Sequence, residues 1–400
     1  MKTVITVLLA CAVSAPAARA QTLDDAIARF HRDATDQRVL DDFQAVVDAH
    51  PDDPDTRAWY AEALLHHDAL RTAAREAHRV LEAAPCHGMA NAVLARVHLA
   101  SAEPDAADSA GAYAERATTC APDDGNAWLA AWDAAALRND EAAELRAQRR
   151  LGELGFFGPP VLELARWTLR AAPPAAVLFA GDWNYHPLQV AQTAEGVRPD
   201  VTIVRLSHLS IPAYVRRMAA RTGYPVPPEA EGVDGGAPVH QDDGPAPLQS
   251  AVGALWAQAR VEGGNPRPLA LAATADQRFI DSGVLLRREG PVITVNPSGR
   301  LSDPLFLPAA FTAAWEDLDL RRMAGPLTSA GDRSPARRTD LHPLEAVVAI
   351  LAVYAEYQGR RGETDSARQA LGWAQQVMDT RGPRPEIQEL LDQARRSIGP

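Results

Sequence analysis

Five residues in one short turn carry most of the chemical potential of this 400-residue chain. In AVLFAGDWNYHPL (176–188) an apolar run stops at Gly181, and Asp182, Trp183, Asn184, Tyr185 and His186 follow at once. A carboxylate and an imidazole four residues apart suit general acid–base catalysis. Two further apolar runs end in the same way. VTIVRL (201–206) delivers Ser207 and His208, and PLALAA (268–273) delivers Thr274, Asp276 and Arg278. Asp182 is the candidate acid or base, with His186 or His208 assisting. Trp183, Asn184, Tyr185, Ser207, Thr274 and Asp276, together with Asp182, are the candidate ligand-binding residues. A plainer reading stands beside this one. Asp182 caps a helix that Pro187 opens, Ser207 and His208 cap the next helix, and Arg278 is solvated. Trp183 either stacks on a sugar or folds back into the core.

Such groups meet only if their strands lie side by side and parallel, because ligands of open α/β sheets bind outside the carboxyl ends of the strands. The pattern supports that arrangement. Apolar runs alternate with helices of about ten residues at 186–195, 211–221 and 248–261, as βαβ units do. LLRREG and PVITVNP (285–297) predict a fourth strand or a hairpin. Between them, 223–247 holds six prolines and five glycines among acidic residues, which predicts a long unpacked loop.

The region before this is helical. Pro51, Pro85 and Pro122 recur at spacings of 34 and 37 residues, each after a stretch ending in small residues. That period, with Ala61, Ala73, Ala95 and Ala110 where paired helices approach, resembles the tetratricopeptide (TPR) repeat. Residues 354–374 match the same spacing. The aromatics Trp59, Tyr60, Trp128 and Trp132 either line a concave peptide-binding face or pack between helices. In such a repeat Cys86 begins a first helix and Cys120 ends a second, so antiparallel packing brings them within bridging distance. A Cys86–Cys120 disulfide is the expectation.

The central segment carries a second resemblance. Gly181, Asp182, Pro187, Leu188, Glu195, Gly196, Arg198, Asp200, Leu206 and Ser207 follow a pattern similar to the soluble C-terminal region of a bacterial membrane-protein family, DUF2723, distantly related to protein O-mannosyltransferases. The likeness spans roughly 175–297. It implies a domain rather than an activity, because the membrane portion of that family has no counterpart here and Asn184 stands where a second carboxylate is usual.

The expected architecture is therefore α/β plus α, with TPR-like hairpins flanking a Rossmann-like three-layer domain with a mainly parallel sheet. Its parts are a signal peptide (1–20), helical repeats (21–155), the α/β domain (156–325), a linker (326–341) and C-terminal TPR-like helices (342–400).

Composition narrows the function. The formal charge is −12, which disfavours nucleic acid as a partner. Lys2 is the only lysine, so no internal Schiff-base or Walker lysine exists. Lys2, the apolar 4–13 and Ala18-Arg19-Ala20 read as a leader cleaved after Ala20, which places the chain in the periplasm or outside the cell. Cys11 in a loose lipoprotein box is the rival anchor. Neither a transmembrane segment in the mature chain nor a cofactor is expected. His-Glu-x-x-His, Cys-x-x-Cys, Gly-x-Ser-x-Gly and Gly-rich phosphate motifs are all missing, and His66, His67, His78, His87 and His98 share no ligand spacing, so no metal is expected. The functional expectation is an exported interaction or scaffold protein. Its partners would be a protein or peptide on the repeats and a small polar or glycan ligand on the α/β domain. The alternative is an envelope enzyme acting on a glycan or similar substrate through Asp182 and a histidine.

Overall fold

The computed structural model describes residues 22–32, 34, 36–101, 105–232, 246–275, 277–280, 284–297, 306–323, 342–379 and 385–398, with the side chains of Arg32, Trp183, Gln277, Arg278, His342, Pro343, Pro385 and Glu386 excepted. The leader, the linker expected at 326–341 and Asp276 lie outside the described residues.

Eight helices run in sequence at the start: α1 (Leu23–Arg32), α2 (Gln37–Ala49), α3 (Pro54–His66), α4 (Leu70–Ala83), α5 (Gly88–Leu99), α6 (Ala106–Cys120), α7 (Gly125–Leu137) and α8 (Glu141–Glu153). Each recurring proline is followed two residues later by a capping side chain. Asp53 accepts from the Asp55 and Thr56 amides, His87 from Ala90 and Asp124 from Asn126, which starts α3, α5 and α7 in turn. Ala61, Ala73, Ala95 and Ala110 are fully buried, so paired helices approach with little between them. Cys86 and Cys120 are bridged across the ends of α5 and α6, with Cα atoms 5.2 Å apart. Trp59 is buried against Phe30 and Phe43 within the array, the Trp128 indole N–H donates to the Pro122 carbonyl at 2.7 Å, and Trp132 is buried against Tyr185 and His186 beyond the array.

α9 (Pro159–Ala171) leads into a five-stranded mixed sheet. In chain order come β1 (Val177–Ala180), α10 (Asp182–Glu195), β2 (Thr202–Arg205), α11 (Pro212–Thr222), α12 (Pro247–Val261), β3 (Leu269–Ala272), β4 (Leu286–Glu289) and β5 (Val292–Val295). The spatial order is β2-β1-β3-β5-β4. β1 pairs parallel with both β2 and β3, whereas β5 pairs antiparallel with β3 and with β4. The expected hairpin is thus present and makes one edge of the sheet.

β1 and β3 are buried along their whole length, which is why they read as unbroken apolar runs. Val177 and Phe179 point to the face covered by α11 and α12, Leu178 and Ala180 to the face covered by α9 and α10. Phe179 is fully buried against Trp256 and Phe279, and truncating it to Ala costs about 3–5 kcal/mol. Gly253 permits α12 to lie on the turn after β3, since a Cβ there would sit 2.0 Å from the Phe279 carbonyl oxygen.

Three expectations change. Helix α10 starts at Asp182, not at Pro187, because the amides of Asn184 and Tyr185 already bond to the Gly181 carbonyl. Ser207 and His208 lie in a 3-10 turn, and α11 begins at Pro212 without a side-chain cap. The stretch expected to form an unpacked loop over 223–247 begins in the core. Tyr224 stacks on Trp256 at 5.0 Å and donates to the Arg267 carbonyl, and Ala230 is fully buried.

The remaining helices are α13 (Pro308–Glu316), α14 (Leu320–Met323), α15 (His342–Arg360), α16 (Thr364–Asp379) and α17 (Pro385–Ile398). They build a separate core with α9, in which Phe311 stacks on Tyr354 at 4.0 Å and the Trp167 indole donates to the Ala314 carbonyl. Among the described residues no helix is long and apolar enough to cross a membrane.

Candidate functional site

The carboxyl ends of β1 and β2 bring Asp182, His186 and Ser207 together, but around a group that sequence reading passed over. Arg205, the last residue of β2, is buried among them. Its Nε donates to Asp182 Oδ1 at 2.8 Å, and one terminal nitrogen donates to Asp133 Oδ1 at 2.5 Å. Asp133 belongs to α7, so the acid comes from the helical array and not from the sheet. The Ser207 hydroxyl also donates to Asp182 Oδ1. His186 places Nε2 at 2.9 Å from Asp133 Oδ1 and 3.5 Å from Arg205, and its ring meets Trp132 edge-on at 4.6 Å.

Local structure explains these placements. The first-turn position of Asp182 suits a carboxylate, because free amides at a helix N-terminus favour negative charge. Its side chain turns to Arg205 and Ser207. His186 follows one turn later on the same helix face and so reaches the same arginine. Asn184 points the other way, and its amide nitrogen donates to Thr274 Oγ1 at 2.7 Å, tying the end of β1 to the end of β3. Asn184 Oδ1 is buried without a hydrogen-bond partner among the described residues. Tyr185 is buried beneath Arg205, whose guanidinium carbon lies 5.5 Å from the ring centre. The side chains of Trp183 and Arg278, and Asp276 altogether, lie outside the described residues.

Electrostatics follow from this packing. Burial opposes charge on Asp133, yet Arg205 first and His186 second outweigh it and hold the carboxyl well below the usual range. Burial also opposes the charge on Arg205, and the two aspartates more than restore it. His208, 3% exposed and edge-on to Tyr214, is pushed well below its ordinary value by burial and then by Arg205, so it is neutral at pH 7. Burial raises Tyr214 to about 12, and its hydroxyl accepts from the Arg205 amide at 2.9 Å.

As chemistry, this is a closed circuit. One arginine bridges two carboxylates, one from each side of the junction between array and sheet. A carboxylate paired with a guanidinium and a serine hydroxyl is a poor base, and a neutral buried imidazole with a depressed pKa is a poor acid. Among the described residues no three His, Cys, Asp or Glu side chains are placed to hold a metal ion.

Arg205 and Asp133 had a signal in the sequence. Each is the only charge in an apolar stretch, Arg205 in VTIVRL and Asp133 in WLAAWDAAAL. A lone charge in a buried element demands a partner. What the sequence does not carry is that these two, 72 residues apart, are that partner for each other. Neither any protein-family model nor any curated protein matches this chain.

Proposed function

We propose that the chain is an exported interaction protein. In this reading TPR-like repeats present a binding surface and a Rossmann-like body, similar to the soluble region of the DUF2723 family, serves as the rigid part. The observation that carries it is the engagement of Asp182: the one carboxylate suited to catalysis is bound to Arg205 and Ser207. The recurrence of prolines and caps at 34 and 37 residues and the Cys86–Cys120 bridge support the repeat assignment and an oxidising compartment.

The array also offers a place to bind. A groove of about 340 Å³ lies between α2, α3 and α4, walled by Gln44, Asp48, Tyr60, Glu76 and Arg79. Arg57 crosses its floor to Glu76 at 2.5 Å. A tagged chain should capture a protein from an envelope extract, and the double variant Tyr60→Ala, Arg79→Ala should lose it. Capture unchanged by that variant counts against the reading.

The alternative, an envelope enzyme using Asp182 with a histidine, draws on the His186–Asp133 pair. It requires Asp182→Asn to abolish a reaction while Tyr60→Ala leaves it intact.

A further inference from the structure

A second groove, of about 550 Å³, runs between α8, α10 and α11 along the outer edge of β2. That volume is in the range of small-ligand sites. Its back wall is strand. The amides of Thr202 and Leu206 bond to β1, so residues 201, 203 and 205 turn their backbone groups outward. Two of the three are already covered. The Val201 carbonyl accepts from Gln192 Nε2 at 2.8 Å, and the Arg205 amide donates to the Tyr214 hydroxyl. Only Ile203 presents its backbone to the groove, a window too short for an added peptide strand.

The floor holds two polar side chains that each keep a donor unused. Tyr185 is 4% exposed and Gln148 is 7% exposed. Gln148 Oε1 accepts from the Thr193 hydroxyl at 2.7 Å, so its amide nitrogen is the group left over. Among the described residues neither that nitrogen nor the Tyr185 hydroxyl has a hydrogen-bond partner, and both residues line the groove. Facing the groove, each is free to donate to something bound there.

Charge defines what that something is. The four ionic groups of the lining are paired: Arg217 with Glu144 at 2.9 Å and Arg221 with Glu141 at 3.8 Å. Two arginines balance two glutamates, so the lining carries no net charge to select a phosphate or a carboxylate. Tyr185 and Tyr214 are buried, so neither offers an open ring face to a base. What fits is a neutral molecule whose oxygens both accept and donate.

We propose that this groove binds a small neutral saccharide, held by Tyr185, Gln148, Gln189 and the Ile203 backbone. The site is not the strand-end cluster, and the proposal goes beyond the scaffold reading without depending on it. With hydrogen bonds and no stacking face, affinity falls in the millimolar range.

The test is saturation-transfer NMR on the whole chain with glucose and with cellobiose, and with glutamate as a charged comparison. Transfer to the sugar ring protons is expected. Tyr185→Phe removes one oxygen and keeps the ring packing, and should weaken binding about fivefold, the worth of one hydrogen bond. Gln189→Ala, on the half-exposed wall, should weaken it by a similar factor without disturbing the fold. Absence of transfer to both sugars at roughly 50 mM overturns the proposal. So does binding unchanged in both variants, or glutamate binding more tightly than either sugar.

Discussion

Arg96 and Arg205 each hold carboxylates, Arg96 half-buried inside the helical array and Arg205 buried at the strand ends. Arg96 of α5 meets Glu62 of α3 through both terminal nitrogens, and His66 completes the set at 3.0 Å from the same acid. Glu62 is wholly buried, and burial alone would neutralise it. Arg96 and then His66 reverse that and hold it well below the usual range. The two partners sit 34 residues apart, one repeat, so the pair fastens a repeat to its neighbour. Arg205 instead joins two different kinds of structure, with two acids, and His186 stands on Asp133 as His66 stands on Glu62. The first arrangement is a unit of the array. The second is a clamp between array and sheet, and it gathers two acids on one arginine.

The comparison can be broken most forcefully at Arg205. Arg205→Met leaves Asp182 and Asp133 facing each other across a buried gap, and should cost about 3–5 kcal/mol in urea unfolding. A cost under about 1 kcal/mol would mean that the clamp holds nothing together.

Reducing the Cys86–Cys120 bridge should cost about 3–4 kcal/mol, since it closes a loop of 34 residues. Hydrogen exchange should then rise in α5 and α6 and stay unchanged at β1 and β2. Exchange that rises equally in both would erase the distinction between the two regions.

Glu62→Gln should cost about 3 kcal/mol, less than Arg205→Met, because it strands one charge and keeps an acceptor for Arg96. The reverse ranking would place the greater dependence on a buried ion pair in the array rather than at the junction.

The smallest effect separates the two regions by pH. Glu62 and Asp133 have depressed folded-state pKa values, so their stabilisation is full above about pH 4 and is lost as the pH falls toward those values. His208 is also depressed, from 6.5, but as a base it stabilises while neutral. Its contribution is full above pH 6.5 and declines below it, by at most about 1.4 kcal/mol per pH unit. Stability should therefore fall between pH 6.5 and 5 in the native chain, and less steeply in His208→Phe. Equal slopes in the two proteins would show that His208 is not the group responsible.

Much of the scaffold was legible in the residues. β1 and β3 announced themselves because strands buried on both faces must be apolar throughout. The disulfide followed from a period and two ends of a hairpin. The site was legible only in part. Asp182, Ser207 and His186 were placed at one locus because each follows a strand, which is a local fact. Their partner is not local: Asp133 reaches them from α7, and no pattern in 125–137 states which surface that helix will meet. Pro187 misled for a related reason. It marks the first turn of many helices, but here the Gly181 carbonyl had already started α10 five residues earlier.

The Asp133–Arg205 contact also bears on how such a chain changes over generations. Repeats are commonly lengthened, shortened or exchanged, since each touches only its neighbours. Here the seventh helix carries an acid that the sheet requires. An exchange of the repeats that brings in a neutral residue at 133 strands an arginine in the core, so the array nearest the sheet is inherited with the sheet.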